Sequence, residues 1–118
     1  MSANVTGVRI DTSGVATTVD LGPDTAEGLR REIDCRLFDR VGLMPGLDLW
    51  CDDEGLCVAE PVINVAASVI VNAFEYPQPI AGNVVFVSND GHGETTSLPD
   101  HFVKLILRMA TMVTAGDE

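Results

Sequence analysis

Apolar and polar positions alternate from the start of the chain. Val5, Val8 and Ile10 lead into the cluster Asp11-Thr12-Ser13-Gly14, after which Val15, Thr17 and Val19 resume a period of two. Such alternation around a turn predicts a β-hairpin. A helix start follows, with Asp24 as N-cap and Glu27 three residues on as its capping-box partner. Ala26, Leu29, Ile33 and Leu37 then recur at spacings of three and four, which predicts a helix ending near Asp39. The segment Val41 to Gly46, closing on Pro45-Gly46, breaks it. A second hairpin is predicted next: Leu47 to Cys51 and Leu56 to Ala59 are its arms, Asp52-Asp53-Glu54-Gly55 its tip, and Cys51 stands opposite Cys57.

From Ile63 to Phe74 the pattern predicts a second helix, rich in Val and Ile, on which Asn64, Ser68 and Asn72 form one thin polar stripe. A helix of this kind is mostly buried. Tyr76-Pro77-Gln78-Pro79 is a rigid connector, Asn83 to Val87 a short buried strand, and Ser88 to Thr96 a polar loop. The last helix begins at Ser97, with Asp100 as its capping partner, and turns Phe102, Leu105, Ile106, Met109, Ala110 and Val113 toward the core. Asp100 and Lys104 make an i,i+4 pair on it. The order ββαββαβα predicts the α+β class: an antiparallel or mixed five-strand sheet with about three helices, mainly on one face. The 118 residues are expected to fold as one domain with the last few residues frayed.

Charge changes the picture. Eighteen acidic residues against seven basic ones leave a net charge of -11. Nucleic acid is bound through Lys and Arg with release of counterions, so direct binding to it is not expected. Anionic membranes need a polybasic cluster, which is missing too. MSANVTGVRI has no apolar core behind a charged start, and the longest nearly apolar stretch, Val62 to Phe74, is too short to span a bilayer, so a soluble, cytoplasmic chain is expected. Cys35, Cys51 and Cys57 contain no C-x-x-C pair and read as reduced, structural thiols.

Candidate chemistry is sparse. Asp90, His92 and Glu94 alternate before the last helix, and His101 follows one turn into it; such oxygen and imidazole groups suit a divalent metal, but the loop itself holds no second histidine. The plainer reading is a solvated loop with an exposed imidazole. Gly91 and Gly93 lie between a strand and a helix, yet a phosphate loop needs a lysine and no flanking acids. Asp52, Asp53 and Glu54 are not a calcium loop, because counting back from Gly55 puts Trp50 where an aspartate is required. They remain an acidic hairpin tip, either a solvated turn or a contact for a basic partner. Arg30, Arg31, Arg36 and Arg40 interleave with acids and are explained by intrahelical ion pairs. No catalytic residue, resident metal or cofactor is implied.

Three segments carry a resemblance: Leu49-Trp50-Cys51-Asp52-Asp53-Glu54-Gly55, Pro61-Val62-Ile63-Asn64-Val65-Ala66-Ala67, and Ile80-Ala81-Gly82-Asn83-Val84-Val85. Through them the chain resembles a small family of unknown function found on phages and plasmids of high-GC Gram-positive bacteria. The resemblance implies a mobile-element accessory protein, a class rich in small proteins that bind host or defence components. The expected function is that of a non-enzymatic interaction protein whose acidic tip (Asp52, Asp53, Glu54) meets a basic host or defence protein, as an inhibitor or nucleic-acid mimic. The alternative is a small enzyme or ligand-binding domain, with or without a divalent metal, using Asp90, His92, Glu94 and His101. A homo-oligomer built on the second or last helix is a third reading.

Overall fold

The most apolar run of the chain occupies the centre of the sheet. In the computed structural model, which describes residues 4–116, strands β1 (Thr6–Ile10), β2 (Ala16–Asp20), β3 (Phe38–Met44), β4 (Leu47–Asp52) and β5 (Val84–Asn89) lie in the order β2-β1-β5-β4-β3. A two-residue strand, β6 (Thr95–Thr96), pairs with the end of β5. Every pairing is antiparallel. Val84 to Ser88 are all buried, because β5 has strands on both edges and helices over both faces.

Two helices cover one face. Helices α2 (Val65–Ala73) and α3 (Asp100–Gly116) pack there on Val8, Ile10, Leu47, Leu49, Val84 and Phe86. Helix α1 (Thr25–Ile33) covers the other face through Leu29 and Ile33, against Leu21, Val85 and Val87. Trp50 completes that layer, edge-on to Phe38 with ring centroids 5.1 Å apart. Gly28 lets α1 come this close: a Cβ there would sit 2.0 Å from the Leu21 carbonyl oxygen.

The class is α+β with three helices, as expected, but the sheet has six strands and its second hairpin lies elsewhere. Helix α1 stops at Ile33, not near Asp39. Asp34 takes the left-handed conformation (φ 61°) and its N–H bonds to the Arg30 carbonyl, closing the helix. Phe38–Met44, expected as helix end and breaker, is an edge strand, and Pro45-Gly46 is the turn between β3 and β4, with Gly46 at φ 81°. Residues 56–59 form no strand. Both edges of β4 are already taken, by β3 and β5, so no ladder is open to them. Cys51 consequently faces Asp39, not Cys57.

Other boundaries moved less. Asp24 Oδ1 accepts the Glu27 N–H at 3.2 Å, as its capping role requires. Helix α2 runs from Val65 to Ala73, and α3 begins at Asp100 because Ser97 is engaged by β1: its hydroxyl accepts the Thr6 N–H at 3.0 Å. On α3, Val103 and Leu107 pack on the core while Leu105 is exposed. Lys104 and Asp100 do pair, at 3.3 Å. The expected fraying of the last few residues falls on positions 117–118, outside the described residues.

Candidate functional site

Two candidate regions were read from the sequence, and the structure treats them differently. Asp52 ends β4 and Asp53 and Glu54 form the turn beyond it, which leaves the sheet and does not fold back as a hairpin tip. Asp52 Oδ1 accepts the Glu54 N–H at 2.9 Å, and the Asp53 N–H bonds to the Leu37 carbonyl at 3.0 Å. Glu54 is neutralised by Arg36, whose Nη2 lies 2.8 Å from its carboxylate. Asp52 and Asp53 are joined instead by Asp39, brought across from β3 by register. The three line a cavity of about 140 Å³ with Cys51, Tyr76, Pro79 and Ile80. Among the described residues none of the three is in an ion pair.

Cys51 reports their convergence. Burial, then the negative charge of Asp39, Asp52 and Asp53, pushes its thiol up to about 12, since a thiolate here would be both desolvated and repelled. Cys35 is raised as well, mainly by burial and next by Asp52. Neither is a poised nucleophile. The sequence did not point to Asp39, because the pattern over Phe38–Met44 predicts a helix end and a breaker where the structure has a strand.

Beside this cavity runs an apolar groove. Ile63, Val65, Val69, Pro77 and Pro79 line it with Ser68, Asn72 and Gln78, and it holds about 350 Å³. Pro79 belongs to both depressions. Helix α2 is therefore less buried than its composition predicted: Ala66, Ala67, Ile70 and Val71 face the core, while Val65 and Val69 remain 51% and 48% exposed. Its polar stripe holds the helix in place. Asn64 Oδ1 accepts the Ala67 N–H at 3.0 Å, and its Nδ2 donates to the carbonyls of Ile10 (3.0 Å) and Gly82 (2.9 Å). Ser68 Oγ accepts the Ile80 N–H at 2.9 Å.

The loop before α3 is built otherwise. Asp90 Oδ1 accepts the N–H groups of His92 (2.7 Å) and Glu94 (3.2 Å), so this carboxylate braces its own loop. His92, Glu94 and His101 are exposed, and the His101 ring lies against Phe102 at 4.4 Å. Among the described residues no three His, Cys, Asp or Glu side chains converge as a metal-binding group, so Asp90, His92, Glu94 and His101 are not brought together as one.

The arginines are spread more widely than intrahelical pairing predicted. Arg31 does pair with its neighbour Glu32, but Arg36 reaches Glu54 and Arg40 reaches the buried Asp48 on β4 at 3.5 Å. Arg30 lies over the Phe38 ring at 5.3 Å. Among the described residues no helix is long and apolar enough to cross a membrane.

A six-stranded antiparallel sheet with helices on both faces and an acidic cavity beside an apolar groove defines the class of protein. Its family follows from sequence: residues 5–111 match DUF3846, a domain of unknown function, and the chain belongs to that family. Neither a curated protein nor a solved structure matches it.

Proposed function

We propose that this chain is a non-enzymatic interaction protein that recognises a basic partner protein through the turn after β4. One observation carries the reading: Asp39, Asp52 and Asp53 line a single small cavity and none is in an ion pair among the described residues. A cation entering the cavity would be attracted by all three carboxylates. Asp52 and Asp53 are the binding residues expected from the sequence; Glu54, held by Arg36, is secondary.

Many other carboxylates serve local turns. Asp11 Oδ1 accepts the Ser13 and Val15 N–H groups, Asp20 that of Gly22, and Asp24 caps α1. This dispersed use favours an inhibitor that offers one acidic pocket over a mimic with phosphate-like spacing. The resemblance to phage and plasmid proteins of high-GC Gram-positive bacteria supports a host or defence protein, met in the cytoplasm, as the partner.

The test is selection of random peptides against the immobilised protein at low salt. Enriched peptides should carry arginine or lysine, bind more weakly as salt rises, and lose binding to a D39N/D52N/D53N variant that melts like the parent. Enrichment of uncharged peptides, or binding indifferent to that variant, would overturn the proposal.

A further inference from the structure

We infer that the α2 groove and the aspartate cavity form one bipartite docking surface for a basic, amphipathic segment of a partner protein. Its aliphatic side chains would lie along the groove and a neighbouring lysine or arginine would enter the cavity. The inference rests on the acidic-recognition reading above and adds the apolar half of the partner's chemistry.

The groove carries the argument. Val62, Ile63, Val65 and Val69 are 61%, 39%, 51% and 48% exposed on one short stretch, a concentration of large apolar side chains that soluble surfaces usually avoid. Pro77 and Pro79 form its far wall. No charged residue occurs from Pro61 to Phe74, nor from Tyr76 to Asn89, in a chain with a net charge of -11. Pro79 also lines the cavity of Asp39, Asp52 and Asp53, so the two depressions share a residue. Apolar surface and negative charge thus lie on either side of one proline.

That sequence of surfaces selects the occupant. Glu60 and Glu75 stand exposed at the chain ends of the segments that form the groove, and Asp53 is exposed at the cavity. A second copy of this chain would bring the same carboxylates against them, and like charges in apposition cost binding energy. A segment with alternating or interleaved cations and aliphatics satisfies both halves. Burial of its aliphatic groups supplies affinity, and the aspartates supply selectivity and attraction over distance.

Two peptides and two variants test the inference. One peptide interleaves leucine with arginine; the other replaces each leucine with serine. Binding is read by fluorescence anisotropy, with thermal melts to confirm that each variant folds. The V65S/V69S variant should weaken the leucine peptide by about tenfold, since it removes apolar contact area, and leave the serine peptide unchanged. D39N/D52N/D53N should weaken both. If V65S/V69S changes neither peptide while the aspartate variant weakens both, the bipartite surface is overturned and acidic recognition stands. If neither variant matters, both readings fall. A dimer in light scattering that V65S/V69S dissociates would assign the groove to a second copy and overturn the inference.

Discussion

The turn after β4 and the loop before α3 have similar compositions and opposite economies of charge. In the loop, Asp90 turns its carboxylate inward onto two backbone N–H groups, and the exposed His92 and Glu94 ride on the scaffold it makes. In the turn, Asp52 also braces the backbone, but sheet register adds Asp39 from another strand and Asp53 from the exit. A local run of acids builds a loop; acids gathered from separate segments build a field. The first is a property of sequence neighbourhood and the second of tertiary pairing.

The largest effect separating the two regions should be on binding. D39N/D52N/D53N is expected to abolish measurable capture of arginine-rich peptides at low salt, whereas Glu94→Gln leaves their affinity unchanged; equal losses would erase the distinction. Next comes the Cys51 thiol. Its pKa of about 12 should fall in the triple variant, because three charges that repel the thiolate have gone, while residual burial keeps it above the ordinary value. Glu94→Gln should leave it where it was, as read by the pH dependence of alkylation.

The same thiol predicts a pH dependence of stability. The unfolded chain releases this proton near pH 9, and the folded chain holds it until about 12. Native stability should therefore decline as pH rises through that window. In the triple variant the decline should stop at a lower pH and be smaller in total, which denaturant titrations at several pH values would show. A smaller effect is expected for Asp90→Ala, which removes two backbone braces and should cost about 1 kcal/mol, with faster amide exchange confined to the loop. Smallest is Arg36→Ala: breaking an exposed pair should barely move the melting temperature, yet it frees Glu54 and should slightly strengthen capture of basic peptides.

Local signals were legible in the sequence. Asp24 announced its cap, Val84 to Val87 announced a buried strand, and the apolar period of α3 was largely right. What misled was the region between Asp34 and Ala59. Leu37 continues the spacing of α1 by one more turn, and the helix stops on an aspartate where glycine would have marked the end. Asp52 to Gly55 does turn, with the Gly55 N–H bonded to the Asp52 carbonyl at 3.2 Å, but a turn becomes a hairpin only if the strand before it has a free edge. That depends on β3, which reaches one edge through the Pro45-Gly46 turn, and on β5, which comes to the other from beyond α2. Two of the three aspartates, Asp52 and Asp53, were visible; Asp39 was hidden by the same missed strand.

The anchoring of α2 by Asn64 and Ser68 has a thermodynamic consequence. A helix riveted at its N-cap to the Ile10 and Gly82 carbonyls, and again to the Ile80 amide, has little freedom left to surrender when something settles on its outer side. The entropy of association then falls on the visitor, so stiffening the visiting peptide should tighten the complex far more than stiffening its host.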